Sequence, residues 1–101
     1  MKDIKITAMV RAVHTELMEQ FELPQENPCC VKIGQSWISH EAACPEGFCP
    51  SAWNDLYPYV FALSHGAERL YGAWMKKPGT AMVSCSDGFR PVSFLLETLE
   101  E

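Results

Sequence analysis

The chain has no long apolar run. No stretch approaches the roughly 20 apolar residues needed for a membrane-spanning helix, and the opening residues, Met1-Lys2-Asp3-Ile4-Lys5-Ile6-Thr7, hold no apolar core of a secretory signal. Basic runs are missing as well. Eight Lys and Arg stand against 13 Asp and Glu, the formal net charge is −5, and the densest basic piece is Lys76-Lys77. Nucleic-acid binding requires many neutralised phosphates, so this balance argues against it. It equally argues against adhesion to an anionic membrane surface. A cytoplasmic location is therefore expected. Cysteines in that compartment stay mostly reduced, and the odd count of five leaves at least one thiol outside any intrachain pairing. There is no Gly-rich phosphate loop and no dinucleotide fingerprint. No internal repeat or low-complexity tract occurs. Ser, His and Asp are all present, but nothing in their order fixes a catalytic geometry.

What is present describes one domain. A chain of 101 residues buries about two thirds of the surface it exposes when unfolded, which suffices for a single core. Apolar residues make up 48 % and charged residues 21 %, as in ordinary globular proteins, so disorder is not expected.

Residues 4–13 alternate. Ile4, Ile6, Ala8, Val10 and Ala12 fall on one side, and Lys5, Thr7, Met9 and Arg11 on the other. A period of two predicts a half-buried strand. Thr15 caps a predicted short helix over 16–21, with Leu17, Met18 and Phe21 as its buried stripe. Pro24 and Pro28 then impose a loop. A short strand or hairpin is expected within 31–39, turning at Gly34-Gln35. The proline- and glycine-bearing segment 41–50 reads as a structured loop. Ser51 reads as the cap of the main helix, 52–64, in which Trp53, Leu56, Val60 and Leu63 recur at steps of three and four. Pro58 is expected to kink or divide that helix. Gly66 marks its end. Residues 66–79 are irregular, with Tyr71 and Trp74 expected over one edge of the core.

The chain ends in a predicted hairpin: 81–85, a turn containing Asp87-Gly88, then 92–99. Val92, Phe94 and Leu96 face one way and Leu95 and Leu99 the other. A strand apolar on both sides is expected to be central or covered by a partner. Together these elements predict an α+β fold, a small antiparallel sheet packed on one kinked helix with a short N-terminal helix beside it.

Three stretches resemble a family of small prokaryotic proteins of about this length that lacks an established activity. They are Cys44-Pro45-Glu46-Gly47-Phe48-Cys49-Pro50-Ser51-Ala52-Trp53, then Asp55-Leu56-Tyr57-Pro58, and Cys85-Ser86-Asp87-Gly88-Phe89-Arg90-Pro91-Val92-Ser93-Phe94. The sequence departs from the family pattern at Gly34-Gln35-Ser36-Trp37 and at Ser64-His65-Gly66-Ala67. The resemblance implies one compact domain and no particular reaction.

Among residues that can carry chemistry, Cys49 precedes the main helix, where N–H groups and the helix dipole favour a thiolate. Cys44 stands five positions earlier across a Pro-Gly bend. The two form a candidate redox pair, with plain packing of two small side chains as the alternative. A candidate zinc or iron site would draw on His40, Cys44, Cys49 and Cys85, with Cys29 or Cys30 as the alternative to Cys85. Cys29 and Cys30, being adjacent, point to opposite sides of an extended segment and are not expected to share an ion. Cys85 is expected in the core. His65 is expected to meet the last carbonyls of the main helix. Glu46, Trp53 and Arg90 are candidate ligand contacts, Arg90 either holding an anionic ligand or pairing with Asp87.

Aromatic side chains are numerous for so short a chain, and their surplus points to a pocket or a subunit interface. The expectation is a small binding or assembly module, forming homo-oligomers, without catalysis of its own. The runner-up is a thiol-based redox or metal-binding protein using Cys44 and Cys49. An enzyme built around Glu46 and Arg90 comes third.

Overall fold

A computed structural model describes residues 1–100. Six elements follow one another: β1 (Ile4–Arg11), α1 (Thr15–Phe21), β2 (Ser36–Ser39), α2 (Pro50–Ser64), β3 (Thr80–Ser84) and β4 (Val92–Thr98). The four strands form one antiparallel sheet in the order β2-β1-β4-β3. α2 packs against one face of it. The fold is α+β, as the strand, helix and hairpin signals predict. β4 lies between β1 and β3, which explains why it is apolar on both sides.

The core lies between the sheet and α2. Ile4, Ile6 and Ala8 of β1, Val92, Phe94 and Leu96 of β4, and Ala81 and Val83 of β3 point into it. They meet Ala52, Leu56, Val60 and Leu63 of α2. Each fully buried large aliphatic or aromatic side chain contributes about 1.5–3 kcal/mol relative to exposure. Trp37 and Phe48 close one end, edge to face at 4.7 Å, with Phe48 also 5.5 Å from Phe94. Among them Ser39 is fully buried, and its hydroxyl donates to the Ala43 carbonyl at 2.6 Å. That bond satisfies a polar group that would otherwise be costly to bury.

β1 departs from simple alternation. Ala8 pairs with Phe94 but Val10 pairs with Ser93, so Met9 is an extra residue in a bulge. Beyond the bulge every side chain changes sides. Val10 and Ala12 are exposed, contrary to the alternation, and Arg11, paired with Val92, comes onto the face that carries α2.

α2 begins two residues earlier than expected. Cys49 is its N-cap and Pro50 occupies the first turn, where a missing N–H removes nothing. Ser51 is therefore inside the helix rather than its cap. Pro58 does not divide the helix, which runs unbroken from Pro50 to Ser64. Proline 58 and Asn54, whose carbonyl loses its helical partner, both lie on the exposed side where water replaces the bond. His65 Nδ1 lies 2.9 Å from the Phe61 carbonyl at the helix end, as expected.

α1 also differs from expectation. Its N-cap is His14, and none of its residues is buried. Leu17 and Phe21 are exposed, and so are Val13 before the helix and Leu23 after it. The helix stands off the body. The molecule measures 45 × 30 × 20 Å with a radius of gyration of 14.5 Å, above the roughly 13 Å of a compact chain of this length. Tyr71 and Trp74 do not cover the core. Trp74 is 80 % exposed and stacks on Tyr71 at 5.4 Å.

Candidate functional site

Four of the five cysteines line one cavity. It has a volume of about 370 Å³ and lies at the N-terminal end of α2, within the size range of small-molecule sites. Pro28, Cys29, Cys30 and Val31 come from the loop after α1. Cys49, Ser51 and Ala52 come from the start of α2. Cys85, Ser86 and Asp87 come from the β3–β4 connection. Val92 and Phe94 form the floor. The sheet thus brings together three loops that are far apart in sequence.

Each element contributes for a local reason. Cys29 is half-buried, and its sulfur accepts an N–H from Arg11 Nη2 at 3.4 Å. The same nitrogen donates to the Val31 carbonyl. Arg11 reaches this position because the bulge at Met9 turned it inward. Its Nε is buried without a hydrogen-bond partner. Cys49 is half-buried at the head of α2, and no side chain caps that end. The Ser51 and Ala52 N–H groups, which precede the first helical bond, therefore border the cavity without a side-chain acceptor. Cys85 is half-buried just past β3 and accepts the Val92 N–H at 3.3 Å.

Asp87 shapes the third wall. Its Oδ1 accepts the backbone N–H groups of Phe89 at 2.8 Å and Arg90 at 3.1 Å. The Phe89 bond above all, then the Arg90 amide and guanidinium, hold the Asp87 carboxyl below its ordinary value despite burial. Asp55, one turn into α2, accepts the Ser86 N–H at 2.9 Å and pins the same connection to the helix.

The expected site residues divide between this cavity and elsewhere. Cys49 and Cys85 line it. Cys44 lies outside, exposed, with its sulfur 3.6 Å from the Pro45 carbonyl. Burial, followed by the charge of Cys49, pushes the Cys44 thiol above its ordinary value. The two loop cysteines therefore sense each other electrostatically. His40 is exposed and pairs with Asp3, Nδ1 to Oδ2 at 2.9 Å. Among the described residues no group of three or more His, Cys, Asp and Glu side chains lies close enough to hold a metal ion, so His40, Cys44, Cys49 and Cys85 are not brought to one point. Glu46 is exposed. Trp53 packs between Phe48 and Tyr57, at 6.2 and 5.7 Å, beside the cavity but not in its lining.

Arg90 pairs neither with a cavity group nor with the Asp87 carboxylate. It forms a two-bonded pair with Glu22, 2.9 and 2.5 Å. That pair raises the Arg90 guanidinium above its ordinary value, chiefly through the hydrogen bonds it donates to the Glu22 carboxylate. The sequence marks Cys29 and Cys30 only as alternatives to Cys85 in a metal set, not as walls of a cavity. The only available signal was two thiols directly after a proline in a loop, and their distance from Cys49 and Cys85 along the chain hid the meeting.

No helix among the described residues is long and apolar enough to cross a membrane. Comparison with family models, with curated proteins and with solved structures returns no match to this chain.

Proposed function

We propose that the chain is a small binding module and that its ligand occupies the cysteine-lined cavity at the head of α2. The carrying observation is the convergence of Cys29, Cys49 and Cys85 from three separate segments on one cavity of about 370 Å³. Apolar walls from Val31, Ala52, Val92 and Phe94 offer burial, and a few polar groups (Ser51, Ser86, Asp87) offer orientation, the usual balance of a small-molecule site. Five free thiols suit a reducing compartment such as the cytoplasm. The likeness of 44–58 and 85–94 to the small prokaryotic family belongs to the same proposal, because both stretches border the cavity.

The test is a fragment library without thiol-reactive members, titrated into ¹⁵N-labelled protein. Shifts concentrated at Ser51, Ala52, Ser86 and Val92 support the reading. No shift there at millimolar concentration, or shifts only on other surfaces, would overturn it.

Assembly is the second part of this proposal. Val13, Leu17, Phe21 and Leu23 form an exposed apolar series on and around α1 and suit burial against a second copy. Light scattering that finds only monomer across working concentrations removes this part and leaves the cavity untouched.

A thiol-redox reading built on Cys44 and Cys49 is favoured by one observation, the influence of the Cys49 charge on Cys44. A Cys44–Cys49 disulfide in peptide maps of mildly oxidised protein would support it, and its absence would count against it.

A further inference from the structure

We infer that two copies of the chain form a two-fold, antiparallel dimer in which the α1 arm of each copy docks on the Tyr71–Trp74 loop of the other. The inference rests on the assembly reading of α1 and supplies the surface that receives the arm.

The two surfaces are complementary in charge. The arm, residues 13–26, exposes Val13, Leu17, Phe21 and Leu23. Glu16, Glu19 and Glu26 are exposed among them, while Glu22 is committed to Arg90. From His14 to Val31 there is no Lys or Arg. The loop between α2 and β3, residues 66–79, exposes Tyr71 and Trp74. It carries Arg69, Lys76 and Lys77, all exposed, against a single acid, Glu68. None of these three cations forms an ion pair among the described residues. An acidic apolar arm and a basic aromatic loop attract each other, whereas two arms or two loops repel.

The chain cannot bring its own arm to its own loop. The arm leaves the end of β1 and is tied to Phe89 and Arg90. The loop lies at the start of β1, where the Gly79 carbonyl accepts the Thr98 N–H and Thr98 pairs with Ile4. The eight residues of β1 separate these ends by about 25 Å. A second copy laid antiparallel beside the first places each arm at the other's loop. Both contacts then form together, and assembly closes at two chains.

The loop holds its aromatic side chains outward in a fixed arrangement. Tyr71 has a φ of 58°, a left-handed conformation that bulky residues rarely adopt. Such strain persists where the surroundings fix it, and here the Tyr71 ring lies 5.6 Å from Tyr59 and 5.4 Å from Trp74. A pre-ordered tryptophan loses little freedom on association and serves as an interface anchor. Area is sufficient as well. Phe21, Tyr71 and Trp74, 71 %, 44 % and 80 % exposed, present on the order of 400 Å² per copy, at roughly 150–250 Å² for each whole aromatic side chain. That is about half of the roughly 800 Å² per partner of a standard interface, before Val13, Leu17 and Leu23 contribute.

The experiment is sedimentation equilibrium of the whole chain across a range of concentrations. A monomer–dimer equilibrium is expected. Phe21→Ala and Trp74→Ala should each weaken it at least about tenfold, as loss of an interface anchor does. Reversing the arm (Glu16→Lys with Glu19→Lys) or the loop (Lys76→Glu with Lys77→Glu) should weaken it too. Mixing the two reversed variants should restore dimers, because each arm then meets a loop of opposite charge. Every substituted residue is exposed, and circular dichroism checks that the variants are folded. A chain that stays monomeric overturns this inference and the assembly reading together. A dimer weakened by Phe21→Ala but unmoved by Trp74→Ala and by loop reversal keeps the assembly reading and removes the arm-to-loop contact. A dimer indifferent to all four variants overturns both. Mass that keeps rising beyond two chains overturns the two-fold closure.

Discussion

Glu22 and Arg90, 68 positions apart, meet in a two-bonded ion pair that ties the end of α1 to the β3–β4 connection. Both side chains are largely shielded, 13 % and 14 % exposed. No α1 residue is fully buried and Met18 alone is half-buried, so this pair carries much of the attachment. Glu22→Ala should release α1 and the following loop. Hydrogen exchange would report faster exchange across residues 15–31 with little change in β1 and β4. Unchanged exchange in α1 would show that the helix is held by other contacts.

The contrast between α1 and α2 is measurable by truncation. Leu56 is fully buried in α2, whereas Phe21 is 71 % exposed on α1. Leu56→Ala should cost about 2–5 kcal/mol, transfer and cavity terms together. Phe21→Ala should stay within about 0.5 kcal/mol. Urea unfolding of both variants at low protein concentration separates the two. A large loss for Phe21→Ala would mean that α1 contributes to the folded monomer.

Asp87 makes stability depend on acid. Its carboxyl is held below the ordinary value, so its contribution is complete above the unfolded value of about 3.9. It is lost as pH falls through the depressed folded value. Asp87→Ala should cost about 1 kcal/mol near neutrality, from the lost bonds to Phe89 and Arg90. The difference from wild type should shrink as pH drops below about 4. Chemical denaturation across that range checks it, and a pH-independent difference would contradict the assignment.

Tyr71 makes the opposite case at the alkaline end. Burial, and then its hydrogen bond with Tyr59, push its hydroxyl up to about 12. With a folded value above the unfolded value of about 10, its contribution is full below 10. It is lost as pH rises towards 12. In a spectrophotometric titration Tyr71→Phe should remove the latest phenolate step, and Tyr59→Phe should move that step downward. A wild-type titration complete near pH 10 would contradict both.

The sheet and the long helix were legible because their signals are local. The steps of Leu56, Val60 and Leu63 mark one face of a helix, and Asp87-Gly88 between apolar runs marks the hairpin. The bulge was not legible, because an extra residue in a ladder depends on a partner strand more than 80 positions away. Its consequence, the inward turn of Arg11, was hidden with it. The buried stripe expected on α1 failed for a related reason. Leu17, Met18 and Phe21 have helical spacing, but spacing alone does not supply a surface to pack against. At the candidate site, Cys49 and Cys85 were legible as thiols of interest, while Cys29 depended on loop placement that no short spacing encodes.

The two strands at the centre of the sheet are the first and the last in the chain. Ile4 pairs with Thr98, and the Leu99 N–H closes on the Asp3 carbonyl at 2.9 Å. On a ribosome that adds residues one at a time, β1 waits for β4 until that strand has been made. The intervening strands and helices cannot finish the core, because Ile4, Ile6, Phe94 and Leu96 assemble only across that late pairing. Folding therefore waits for β4, is dominated by this longest-range contact and is correspondingly slow. A nascent chain stalled before Val92 should present β1 and α2 to chaperones with their apolar faces still uncovered.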